Sequence, residues 1–119
     1  MANTFKVVTF AAEPASAGTP YKMYTVAGST TTVLLGILLG NTTGSAITAT
    51  VSLGSDTAGR AGNNDEANQT VELITGTSIP ANSSLELLTG NKVVMETTDT
   101  LSVTGSASTD VVLSIMEIT

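Results

Sequence analysis

The stretch "AITATVSLG", from Ala46 to Gly54, decides the fold, because apolar and hydroxyl side chains alternate along it. Its apolar set is Ile47, Ala49, Val51 and Leu53. Successive side chains of a β-strand point to opposite faces of a sheet, so this pattern predicts a strand with one buried and one solvated face. No stretch of the chain shows a helical period of useful length.

Eight further segments lie on both sides of this stretch, each a short run of aliphatic, aromatic or β-branched residues bounded by turn-forming residues. They cover residues 4–10, 21–26, 31–41, 69–75, 84–88, 92–97, 100–105 and 110–118. Many short strands at a spacing of about 8–12 residues are typical of a sandwich or a barrel. We therefore predict an all-β fold, a single-domain β-sandwich of jelly-roll or immunoglobulin-like type with about eight to nine strands, over residues 1–119.

Two of these segments are apolar on both faces. The run "VLLGILL", from Val33 to Leu39, is far shorter than the roughly 20 residues needed to cross a bilayer, and it predicts a central strand covered on both sides. Gly36 in its middle predicts a β-bulge or a close backbone approach. In the last segment, alternation places Glu117 on the same side as Leu113, a conflict unless the strand frays or that face packs on another subunit.

The predicted core is aliphatic, because the two Phe and two Tyr residues all lie in the first quarter of the chain. The residues that we expect in it are those within aliphatic runs bounded by turn signals. They are Leu35, Leu38, Val51, Leu73, Leu87, Val94, Leu101 and Leu113.

The composition argues against an enzyme, because the chain contains no His, Cys or Trp. These side chains include the commonest nucleophiles, proton shuttles and metal ligands near neutral pH. The net charge is −6, and the four basic residues are scattered, so no basic stripe is present to bind phosphates of nucleic acid or of a membrane. Only 12% of the residues are charged, which predicts a largely neutral surface. Such a surface suits subunit contacts, and the alternative is a hydroxyl-rich face that is simply solvated. We predict no cofactor.

The long connection "GSDTAGRAGNNDEAN", an extended loop over residues 54–68, is the candidate functional segment. An irregular loop of this length is usually either functional or a merely solvated excursion. Its charged residues are the candidate partner-contact residues Asp56, Arg60, Asp65 and Glu66. The run "NNDE" supplies oxygen atoms but lacks the spacing of a calcium loop.

A second acidic pair lies at a tight turn, where Glu96 and Asp99 could form a carboxylate pair. The alternative that we favour is a structural role, in which the Asp99 carboxylate accepts hydrogen bonds from nearby backbone N–H groups of the turn.

Four segments together resemble small virion structural proteins of tailed bacteriophages, especially those that infect aquatic bacteria such as cyanobacteria. They are "MANTFKVVTF", "YTVAGSTTTVLLGILLGN", "SIPANSSLELLTGNKVVMETTDTLSV" and "DVVLSIMEI". The resemblance covers most of the chain and rests on strand and turn patterns, whereas the loop over residues 54–68 lies outside it.

The resemblance implies a β-sandwich accessory protein located in the virion after synthesis in the host cytoplasm. We favour a capsid decoration, or cement, protein that binds and stabilises the shell. The alternatives are a neck, tail or fibre component, or an adhesin-like module that binds a host receptor or glycan. The expected partners are the major capsid protein or tail subunits. A homo-oligomer is expected, with a trimer favoured because trimers suit the three-fold positions of icosahedral shells.

Overall fold

The computed structural model describes residues 2–55, 67–88 and 90–119, and these residues form nine β-strands. The strands are β1 (Asn3–Glu13), β2 (Tyr21–Thr25), β3 (Thr31–Gly40), β4 (Ile47–Gly54), β5 (Val71–Ile79), β6 (Ser84–Leu87), β7 (Val93–Met95), β8 (Thr100–Gly105) and β9 (Thr109–Ile118). The predicted all-β fold is confirmed. Every strand expected from the sequence forms, within a few residues of its expected bounds.

The strands form two antiparallel sheets. The first sheet has the order β1-β9-β3-β6, with β7 also paired to β3, and the second has the order β2-β8-β4-β5. The two short strands β6 and β7 lie one after the other along the same side of β3. The chain therefore passes from one sheet to the other between most consecutive strands, as in a jelly roll. In the immunoglobulin fold the first two strands share a sheet, whereas here β1 and β2 lie in different sheets. The strand order therefore favours the jelly roll over the immunoglobulin-like type.

The core lies between the two sheets and is aliphatic, as predicted. Both sheets contribute side chains that are almost completely removed from water, which is the main favourable term in folding. They include Leu34, Leu39, Met95, Leu113 and Ile115 from the first sheet, and Val51, Ile79, Leu101 and Val103 from the second. Among the predicted core residues, Val51, Leu101 and Leu113 are fully buried.

A β-bulge in β3 makes the predictions for Leu35 and Leu38 wrong. The register with β9 shifts between Leu34 and Gly36, which confirms the predicted bulge, and no neighbouring atom lies close to Gly36. The extra residue resets the alternation, so that Ile37 follows Leu34 into the core and Leu38 points to the opposite face. Leu35 and Leu38 are half-buried and line a depression on the outside of the first sheet.

The prediction for Val94 is wrong for a simpler reason. Adjacent residues of a strand face opposite sides, so Val93 and Val94 cannot both enter the core. Val93 packs against the core, whereas Val94 lies opposite Val33 on the outside and is 62% exposed. Leu73 and Leu87 are half-buried and pack against the core from the outermost strands β5 and β6.

Candidate interaction surface

The outside of the first sheet is an apolar surface, here called the outer face. It is formed by the side chains of β1, β9, β3 and β7 that point away from the core. They are Phe5, Val7, Thr9, Val112, Ser114, Met116, Val33, Leu35, Leu38 and Val94. Phe5, Val7, Val94 and Val112 are 73%, 65%, 62% and 36% exposed, which makes them four of the five large apolar side chains that the described residues leave open.

The strand register aligns these side chains into rows across the sheet. One row runs from Phe5 through Met116 and Val33 to Val94, across β1, β9, β3 and β7. Residues that are directly opposite on neighbouring strands lie about 4.5–5.5 Å apart, so this row is a continuous apolar strip. It contains no charged residue.

Two further rows complete the outer face. The second consists of Val7, Ser114 and Gly36, and is also uncharged. The third runs from Thr9 through Val112 and Leu38 to Glu86, which places the one carboxylate of the three rows at the margin. The three rows are therefore uncharged across the sheet except at this one margin.

Two shallow depressions, each of about 340 Å³, flank the centre of the outer face. Leu38 and Val112 line both of them. One extends towards Ala11 and Asp110, and the other towards Leu88 and Glu86. The bulge at Gly36 forms part of the second depression, because this position has no side chain to fill the space. The outer face thus has depressions into which side chains of a partner can pack.

Glu117 lies on the inner side of the first sheet, as alternation predicts, and polar contacts explain how it is tolerated there. Its Oε1 lies 2.6 Å from the Lys6 Nζ, and its Oε2 accepts a hydrogen bond of 2.5 Å from the Tyr24 hydroxyl. The Tyr24 hydroxyl also lies 2.8 Å from the Thr32 hydroxyl. These bonds join β1, β9 and β3 to β2 of the other sheet at one end of the sandwich. The inner face therefore needs no second subunit to satisfy Glu117.

The contacts of this network shift the pKa values of Glu117 and Tyr24. The bonds from Lys6 and then from Tyr24 lower the pKa of Glu117, because both stabilise the carboxylate. Burial, followed by the bond to Glu117, raises the pKa of Tyr24 above its usual value. The network is therefore a structural ion pair that holds Glu117 in its charged form.

The four predicted partner-contact residues Asp56, Arg60, Asp65 and Glu66 lie outside the described residues. The two ends of their loop are described: the Asn68 amide Nδ2 donates a hydrogen bond of 3.2 Å to the Ser55 hydroxyl.

The turn between β7 and β8 has the predicted structural role. The Asp99 Oδ2 accepts a hydrogen bond of 2.9 Å from the Glu96 backbone N–H, and the Asp99 N–H donates to the Glu96 carbonyl at 3.0 Å. The other carboxylate oxygen of Asp99 is buried without a hydrogen-bond partner.

Within residues 2–55, 67–88 and 90–119, no three acidic, His or Cys side chains come together as a metal site would require. The same residues form no helix that is long and apolar enough to cross a membrane.

Sequence reasoning missed the role of Asn41, which follows β3 and is buried. Its Nδ2 lies 2.8 Å from the carbonyl oxygen of Ser45 and 3.0 Å from those of Ile79 and Pro80. Its Oδ1 accepts a bond of 2.9 Å from the Thr43 N–H. One amide therefore fixes two turns at the end of the sandwich where β6 begins. A polar residue directly after an apolar strand and before "TTGS" was the available signal.

Comparison with known proteins finds similarity at the level of the fold. No protein-family description and no curated protein matches this chain. It is similar to a structure of the infectious bursal disease virus Gx strain, with 12% identity and a TM-score of 0.53 over 96% of this chain and 32% of that chain. It is also similar to a pilus protein of Bacillus endospore appendages, with 16% identity and a TM-score of 0.45 over 99% of this chain and 87% of that chain.

The likeness to the virus structure shows a shared fold, and this chain spans about a third of the length of that virus chain, 32%. The neighbours are components of virus particles and of pili.

Proposed function

We propose that this protein is a non-enzymatic structural subunit of a virion, a capsid decoration protein that binds the shell through its outer face. The observation that carries the proposal is the continuous apolar row from Phe5 to Val94 on a folded sandwich whose core is already complete. A contiguous apolar surface on a folded domain is typical of a protein–protein contact.

The size of the outer face is sufficient for a stable contact. Strands β1, β9 and β3, each about ten residues long, together with the short strands β6 and β7, at a spacing of about 4.8 Å, cover about 600 Å² on each partner. The total of about 1,200 Å² lies at the lower end of specific, stable interfaces. A contact of this size is suited to a small protein that binds a shell in many copies.

The choice of a virion rests on the resemblance to virion proteins of tailed bacteriophages, and the shared fold with a virus structure supports it. We further propose a trimer as the oligomeric state, because a trimer can match the three-fold positions of an icosahedral shell.

The experiment that tests this proposal is the copy number in purified virions, measured by quantitative mass spectrometry against the major capsid protein. A decoration protein is expected in hundreds of copies per particle. A handful to a few dozen copies would place it in the neck, tail or fibre, and absence from the particle would contradict the proposal.

The charged loop is proposed as a second contact. Arg60 is the only cation among three acids in the loop, and its planar guanidinium can form a bidentate pair with a carboxylate of a partner. Replacing residues 56–66 by a short turn is expected to leave the far-UV circular dichroism unchanged and to weaken binding to the particle. Unchanged binding would restrict the contact to the outer face.

A further inference from the structure

Strand β1 is the edge of the first sheet, and the hydrogen bonds at its start show which backbone groups it leaves free. Ala2 and Thr119 exchange both backbone hydrogen bonds, each 3.0 Å long. In an antiparallel ladder such pairs alternate with pairs whose N–H and C=O groups point away from the partner strand. The register is continuous from Asn3 to Phe10, so the free groups belong to Asn3, Phe5, Val7 and Thr9.

The same residues also carry the exposed side chains of this edge. Phe5 and Val7 are 73% and 65% exposed and belong to the outer face. A strand that can pair with β1 would therefore satisfy the free backbone groups and cover these two side chains in one step.

This edge has few of the features that usually prevent strand pairing. Between Asn3 and Phe10 there is no proline and no bulge. The one charged residue, Lys6, points to the inner side, where an unpaired charge would oppose pairing, but its charge is neutralised by the ion pair with Glu117. The opposite edge of the sheet differs, because it is divided into β6 and β7 by a segment in which Leu88 and Gly90 have φ values of 64° and 78°. Only β1 offers a long, regular edge among the described strands of this sheet.

We propose that β1 pairs antiparallel with β1 of a second copy of this chain, about a two-fold axis that places Val7 opposite Val7. In this register Phe5 of each copy lies opposite Thr9 and diagonal to Val7 of the other, so that the most exposed apolar side chains cover each other. The pairing supplies about six backbone hydrogen bonds, two for each closely spaced pair.

Charge selects this register over its neighbour. A two-fold axis through Lys6 would place the two Lys6 side chains directly opposite, in the type of pair where side chains are closest. With the axis at Val7, Lys6 lies opposite Val8 instead. A second copy fits this edge, because its own β1 places a Thr9 opposite each Phe5 and a Val7 opposite Val7.

The pairing joins two five-stranded sheets into one and makes their outer faces continuous. It is a property of the isolated chain, so it can fail while the proposed virion role stands, and it can hold if that role fails. It also accommodates a trimer formed by another surface, because neighbouring three-fold positions of an icosahedral lattice are related by two-fold axes.

The first test is sedimentation of the purified wild-type chain and two variants over a range of concentrations. Val7→Lys places a charge on the free edge, and it should fold normally because no Val7 backbone bond to β9 is lost. Val71→Lys is the matched control, because Val71 is 51% exposed on β5, the edge strand of the other sheet. We expect Val7→Lys to weaken the two-fold association about tenfold or more, whereas Val71→Lys leaves it unchanged.

The second test uses disulfide cross-linking, which is unambiguous because the native chain has no cysteine. Under mild oxidation, Val7→Cys should form a covalent dimer with itself, and a mixture of Phe5→Cys and Thr9→Cys chains should form a mixed dimer. Val71→Cys should not. Val7→Pro, which removes only a free-edge N–H, should abolish association while the circular dichroism is retained.

The proposal is overturned if the wild-type chain shows no association that Val7→Lys disrupts, or if Val71→Cys cross-links as efficiently as Val7→Cys. It is also overturned if β1 is covered only in virions, by a strand of a different protein, while the isolated chain stays unpaired.

Discussion

The two faces of the first sheet are both apolar, yet only one of them is used for folding. In β9, Leu113 is completely buried in the core, whereas the adjacent Val112 is 36% exposed at the centre of the outer face. In β3 the same contrast holds between Leu39 and Leu38, because the bulge at Gly36 sets which leucine enters the core. The sandwich is therefore complete with one face, and the second apolar face is available for assembly.

This difference explains why the core of so small a protein leaves apolar residues outside. A soluble monomer gains nothing from Phe5, Val7 and Val94 in open positions, since burial in water-free contacts is what makes such side chains stabilising. The inner face contributes to the stability of the fold, and in the proposed function the outer face contributes to that of an assembly. Variants on the two faces should separate these contributions.

The largest effect on folding is expected at Leu113. Leu113→Ala removes a fully buried side chain and should lower the free energy of unfolding by about 2–5 kcal/mol. Val112→Thr, at the neighbouring position, keeps the β-branched shape and should change it by about 0.5 kcal/mol or less. Urea unfolding followed by circular dichroism measures both. Equal effects would contradict the assignment of the two faces.

A smaller effect is expected at Gly105, where β8 lies against β4. A Cβ added at Gly105 would lie 2.7 Å from the Thr48 carbonyl oxygen, a backbone atom that cannot move aside. Gly105→Ala should therefore cost about 1–3 kcal/mol. Gly36→Ala is the matched comparison, since no atom lies within 4 Å of its added Cβ, and it should change stability less. Thermal unfolding measures the stability of both variants, and a larger loss for Gly36→Ala than for Gly105→Ala would contradict the prediction.

The smallest effect concerns Glu117 and depends on pH. Its pKa is lower in the folded protein, so the carboxylate contributes stability above its ordinary pKa of about 4.3, and this contribution is lost as the pH falls through the folded value. The pair with Lys6 is partly exposed, so the effect should be below about 1 kcal/mol.

Glu117→Gln should therefore lose less stability than the wild type between about pH 7 and about pH 3. Glu86→Gln is the control, because Glu86 is exposed on the margin of the outer face. The same loss in the Glu117→Gln variant as in the wild type would exclude the network as its cause.

The strands were predictable because each is a short apolar or alternating run between turn residues, as at Thr48 to Leu53. β5 shows a limit of this reasoning. The segment from Gly76 onward predicts a turn, yet the strand continues to Ile79, because Gly76 adopts a φ of 54° at a register shift and Ile79 then pairs with Ile47 in the core. A glycine can end a strand or bend it, and the difference depends on tertiary pairing.

The interaction surface was only partly predictable. Two-sided apolar strands indicated contacts beyond the core, but their faces could not be assigned, because the bulge reverses the alternation within β3. The free edge at β1 depends on sheet order, which no local pattern encodes. The loop residues Asp56, Arg60, Asp65 and Glu66 lie outside the described residues and remain a proposal.

The most direct measurement of the central claim is binding of the purified chain to capsids that lack it, followed by co-sedimentation. The wild-type chain should saturate at a fixed ratio to the major capsid protein. Val112→Lys, which places a charge between the two depressions of the outer face, should lose binding, and Val71→Lys on the other sheet should retain it. If the wild-type chain does not bind, or if Val112→Lys binds as well as Val71→Lys, the outer face is not the assembly surface.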